Sequence, residues 1–144
     1  GLLTLDLPPE EATELVEASK AQGMKNIFIV APTTPDSRIP TIVDSASGFI
    51  YYVSREGVTG ARKDLASNLA ERVGLIRKFS DLPVVVGFGV STPEQVCEVG
   101  KAADGVVVGS ALVNCISENL STPDAIPQAI GSRAAELVAG LTSA

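Results

Sequence analysis

The sequence contains no histidine. That excludes a histidine-based nucleophilic triad, a histidine-ligated zinc site and a histidine general base within this chain. Acid–base chemistry would fall to Asp, Glu, Tyr, Lys or Cys. No apolar run approaches the roughly 20 residues of a membrane span. The opening GLLTLDLPPE lacks the basic segment that starts a secretory signal. Basic residues are outnumbered by acidic ones, 11 to 17, for a net charge of −6. Nucleic acid and acidic membranes are therefore poor partners, although backbone N–H groups can still hold a small anion. The two cysteines, Cys97 and Cys115, show no metal-ligand spacing and read as half-buried free thiols in a reducing cytoplasm, with no metal site expected. No Gly-x-Gly-x-x-Gly follows the first apolar run, which weakens a dinucleotide-binding reading.

What is present is a repeating pattern. The 144 residues are 45% apolar and 19% charged, enough for one globular domain, residues 1–144, with a substantial core. Short runs rich in Val and Ile recur at Leu2–Leu5, Ile27–Val30, Phe49–Val53, Val84–Val86 and Gly105–Val108. They do not alternate with polar residues, as expected of strands in a parallel sheet buried on both faces. Helical segments lie between them and open on Pro8-Pro9-Glu10-Glu11, Thr34-Pro35-Asp36, Ser91-Thr92-Pro93-Glu94 and Thr122-Pro123-Asp124. Proline in the first turn and hydroxyls at the cap mark these starts. In the first helix Ala12, Leu15 and Val16 form an apolar stripe; in the last, Ile126, Ile130, Ala134, Leu137 and Leu141 do so. The class is α/β, and the architecture is either an open doubly wound sheet or part of a (β/α)8 barrel.

The ends of the last two strands favour the barrel. Val84–Val86 runs into Gly87-Phe88-Gly89, and Gly105–Val108 runs into Gly109-Ser110 with a short helix starting at once. Glycines admit a ligand close to the backbone, and a helix N-terminus presents free N–H groups to an anion. Such a site, built by the last two βα loops and a short extra helix, recurs in phosphate-binding barrels. After Phe49–Val53 comes a polar stretch, Ser54 to Lys63, with Arg55, Gly57, Thr59, Gly60, Arg62 and Lys63. It leaves the same rim and suits a lid over a phosphorylated substrate. Tyr51 and Tyr52 point to opposite faces; if Tyr51 faces inward it supplies an aromatic wall and a phenol.

With those residues assembled, the sequence resembles the tryptophan synthase alpha subunit family along its whole length. The segments DLPPEEA, APTTPD, GFIYYVSREGVTGAR, LPVVVGFGVSTPEQV and ADGVVVGSALV carry the resemblance. It implies a lyase of tryptophan biosynthesis that cleaves indole-3-glycerol phosphate to indole and glyceraldehyde 3-phosphate. It places the phosphate at Gly87, Phe88, Gly89, Gly109 and Ser110, and the active-site tyrosine at Tyr51. Arg55, Gly57, Thr59 and Gly60 correspond to the lid, and Leu3 and Ile29 to the indole pocket. Asp6, Leu7 and Pro8 match a stretch near the contact with the beta subunit. No cofactor is implied in this chain; pyridoxal phosphate belongs to the beta subunit partner.

By the same resemblance the sequence begins at the fourth of eight strands, so that strands 4–8 are present. The family's two catalytic carboxylates belong to the first three. Neither Glu56 in the lid, Asp104 at the opposite rim, nor Glu94 and Glu98 on a helix face replaces them. The expectation is a partial barrel, inactive alone, that self-associates or pairs with an N-terminal half. A non-catalytic half-barrel for phosphate binding or assembly is the alternative, with another sugar-phosphate barrel enzyme behind it.

Overall fold

A computed structural model describes residues 1–54, 62–87 and 89–143, and the side chains of all of these except 62–67 and 143. Among these residues five strands form one parallel sheet: β1 (Leu2–Leu3), β2 (Asn26–Val30), β3 (Ile50–Val53), β4 (Val84–Gly87) and β5 (Gly105–Val107). Their spatial order is β1-β2-β3-β4-β5. Each strand lies beside its predecessor, with none of the order reversal of a doubly wound sheet. The winding is that of a barrel wall, and five strands make only part of one that needs eight.

Among the described residues six α-helices connect or follow the strands: α1 (Thr13–Ala21), α2 (Ile39–Ser45), α3 (Arg62–Arg77), α4 (Pro93–Gly100), α5 (Ser110–Glu118) and α6 (Ile126–Ala139). Three of the anticipated starts open instead as single 3-10 turns, at Pro9–Glu11, Asp36–Arg38 and Pro123–Ala125. The α-helices follow three or four residues later. Proline fixes φ for a tight turn and lacks the N–H, so the chain enters the helix through i→i+3 bonds. Arg62 and Lys63, read as loop from sequence, are the first residues of α3.

The register sorts strand residues by face. Phe28, Val30, Ile50, Tyr52, Val84 and Val86 all belong to one buried cluster, with Ala12 before α1, Ile39, Ile42 and Val43 of α2, and Val73 and Ile76 of α3. The opposite face carries Leu3, Ile27, Ile29, Tyr51, Val53, Val85, Gly87 and Val107. Ile27 and Gly87 are buried, but most of the others are half-buried and Leu3 is 45% exposed. The expectation of burial on both faces therefore holds only for the helix side. Apolar residues on the other side follow from its being the inner wall of a barrel, which these strands line without enclosing.

A second buried cluster joins Val90, Val96 and Leu137, with Val106, Val108 and Leu112 against it. It welds α4 and α6 to the end of the sheet. Among the described residues no helix is long and apolar enough to cross a membrane. Both cysteines are free, Cys97 half-buried in α4 and Cys115 buried in α5.

Candidate functional site

The C-terminal ends of β3, β4 and β5 are adjacent, and this rim gathers Tyr51, Gly87, Gly89, Gly109 and Ser110 among the residues singled out from sequence. β3 and β4 remain joined past their last pair, since the Ser54 N–H donates to the Gly87 carbonyl at 3.0 Å. Tyr51 pairs in register with Ile29 on one side and Val85 on the other. It lies on the bare inner face, as the alternation allowed, while Tyr52 is buried beneath the helices. The Tyr51 ring crosses Gly87: a β-carbon there would sit 2.6 Å from the Tyr51 hydroxyl and 2.8 Å from Val107 Cβ. Only glycine fits beneath that phenol. Partial burial raises the Tyr51 pKa, so the group is a neutral O–H at physiological pH and can donate a hydrogen bond.

The two other rim glycines differ in kind. Gly89 has φ +70°, in the left-handed region that glycine adopts without a Cβ penalty. Gly109 has φ −117° and is the N-cap of α5, and nothing lies within 4 Å of where its β-carbon would be. Its carbonyl accepts from the Leu112 and Val113 N–H groups at 2.9 and 3.2 Å. The earliest N–H groups of α5 have no intrahelical acceptor. Exposed Ser110 begins the helix beside them. The rim thus presents an open backbone, the Ser110 hydroxyl and a helix start, which suits an anion more than a cation.

Leu3 and Ile29 occupy the same bare face as Tyr51. Phe88, and Arg55, Gly57, Thr59 and Gly60 of the anticipated lid, lie outside the described residues. Asp104 sits at the other rim: its Oδ2 accepts from the Val84 N–H at 2.8 Å and from Arg77 at 2.9 Å. Glu98 pairs with Lys101 at 2.8 Å on the exposed side of α4, where Glu94 is exposed too. None of these acids reaches the Tyr51 face. Among the described residues no group of three or more Cys, Asp or Glu side chains could hold a metal.

Sequence reasoning missed the supports of the rim. Gln95, not Glu94, completes the capping box of α4 with Thr92. Arg133 of α6 donates to the Ser91 carbonyl, 42 residues away in sequence.

The comparisons with known proteins agree with this geometry. The sequence family described as tryptophan synthase alpha chain matches residues 1–139. The chain is 58% identical over 140 residues to the tryptophan synthase alpha chain of Opitutus terrae, covering 97% of this chain and 53% of that protein. It is 47% identical over 137 residues to that of Thioalkalivibrio sulfidiphilus, covering 95% and 52%. The crystal structure of tryptophan synthase subunit alpha from Legionella pneumophila superposes with a TM-score of 0.82 at 33% identity, over 99% of this chain and 52% of that one. A tryptophan synthase structure from M. tuberculosis gives 0.79 at 35% identity, over 98% and 50%. The chain spans about half the length of the curated relatives it matches. A single parallel wall with its glycine-rich rim, matched by sequence and by shape to one family, settles the assignment: the chain belongs to the tryptophan synthase alpha chain family.

Proposed function

We propose that this stretch forms the phosphate-binding rim and part of the indole pocket of an indole-3-glycerol phosphate lyase. The observation that carries the proposal is the adjacency of Gly87, under the Tyr51 hydroxyl, to the β5 end with Gly109 and Ser110. Backbone N–H groups at Gly109–Ser110 and the turn around Gly89 hold the glycerol phosphate end of the substrate. Phe88 joins them by family resemblance. Leu3 and Ile29 extend the apolar wall on which the indole ring lies, and the neutral Tyr51 phenol adds a donor between the two ends.

Cleavage of the bond between the indole ring and the glycerol chain requires a base to take the proton of the hydroxyl on the breaking carbon. It also requires an acid to protonate the indole carbon. Asp104, Glu94 and Glu98 are engaged or exposed elsewhere, and in this reading those proton transfers come from carboxylates outside the 144 residues. The lid of Arg55, Gly57, Thr59 and Gly60 closes the rim by resemblance. The reaction needs no cofactor from this chain, and the indole released passes to a pyridoxal-phosphate beta subunit. The bare inner sheet face supports a second element of the reading, that the chain pairs with a complementary barrel segment or with itself.

Mixing the chain with the N-terminal part of a family relative and assaying indole release from indole-3-glycerol phosphate tests this directly. Indole release only in the mixture is expected. A folded complex that makes no indole would contradict the proposal.

A further inference from the structure

The rim is held in shape by a residue far from it in sequence. Ser91, which ends the turn after β4, has its backbone polar groups and its hydroxyl all engaged. Its N–H and its hydroxyl both donate to Gln95 Oε1, at 2.7 and 3.2 Å, and the Thr92 N–H adds a third bond to the same oxygen at 3.1 Å. Its carbonyl accepts from Arg133 Nη2. One turn further along α6, Leu137 shares a buried cluster with Val90, the residue before Ser91. Helix α6 therefore grips two consecutive residues of the turn, one by packing and one by a charged hydrogen bond. Arg133 also lines a cavity of about 320 Å³ with Ala111, Asn114 and Cys115 of α5. It stands between the β4 turn and α5, since Ser91 lines the same cavity.

The charge itself is not what Arg133 brings. Its Nη1 is ion-paired with Glu136, which offsets much of its field. A left-handed glycine such as Gly89 also makes the turn conformationally permissive unless its neighbours are pinned. From these contacts we infer that Arg133 is a positioning residue for anion binding: through the Ser91 carbonyl it fixes the Gly89–Ser91 turn against α5. The inference rests on the phosphate-site reading above.

The test is titration of the 144-residue chain with glycerol phosphate, followed by backbone amide NMR, on wild type, Arg133→Met, Arg133→Lys, Glu136→Gln and Ser110→Ala. Removing a charged hydrogen bond that orders the turn should weaken binding by about tenfold in Arg133→Met. The Ser91 and Thr92 amides of the free protein should lose exchange protection. Arg133→Lys keeps the stem and charge but not the forked donor, and should lose about threefold. Glu136→Gln should stay within about twofold of wild type, because position and not field is at stake. If Arg133→Met does not fold, Arg133→Lys decides alone. Wild-type affinity in a folded Arg133 variant, with Ser110→Ala weakened, overturns the inference and leaves the phosphate site standing. Tighter binding in Glu136→Gln overturns it in favour of an electrostatic role. No saturable rim shifts in wild type would overturn both.

Discussion

Gly87 has no room for a side chain, because the Tyr51 ring and Val107 close over it from neighbouring strands. Gly87→Ala should cost about 1–3 kcal/mol, the usual range for overpacking a filled site. Urea unfolding with and without Tyr51→Ala checks this: part of the loss should return in the double variant. Asp104 yields a second prediction at this scale. The Val84 N–H, and then Arg77, hold its carboxyl below the usual aspartate pKa. A lowered folded pKa adds stability above the unfolded value of about 4, and that gain fades as pH falls through the folded value. The gap between wild type and Asp104→Asn should be flat above about pH 5 and close on acidification. It should also be modest, since the side chain is 43% exposed. A gap that widens in acid would contradict the assignment. At this scale the sequence singled out Tyr51, Gly87 and Gly109, and the structure brings them to one rim. The sequence could not show Arg133, because its partner is a backbone carbonyl 42 residues away, which has no residue-type signature.

Helix α4 shows what elements contribute. Its N-cap was legible from Ser91-Thr92-Pro93, since hydroxyls and proline act locally. The reciprocal half of the capping box belongs to Gln95, whose one oxygen accepts three bonds. Thr92→Ala should cost about 1 kcal/mol in thermal or urea unfolding. Gln95→Ala should cost more, because it strips the Ser91 and Thr92 N–H groups at once; equal or smaller loss would count against this hub. The 3-10 turns at Pro9–Glu11, Asp36–Arg38 and Pro123–Ala125 displaced three helix starts by three or four residues. Start signals place a boundary only to within a turn, because tertiary packing decides where i→i+3 bonding gives way to i→i+4.

Across the whole molecule, the decisive feature is the one-sided sheet. Its helix face is packed shut, whereas the inner face runs from exposed Leu3 through Ile29, Tyr51 and Val85 to Val107. Composition and periodicity made the strands legible, but not that asymmetry. A run of Val and Ile reads the same whether its second face meets helices or the interior of a barrel. An uncovered apolar wall with parallel strands at both edges favours association. Light scattering on a concentration series should show mass growing beyond one chain, and a constant monomer mass at high concentration would contradict this.

The proposed phosphate site lies on the rim of these strands and needs no other part of the barrel to bind an anion. The measurement that tests it most directly is titration of the chain with glycerol phosphate, read by backbone amide NMR. Saturable shifts centred on Gly87, Gly89, Gly109 and Ser110 are expected. A well-dispersed spectrum in which those amides do not move would contradict it.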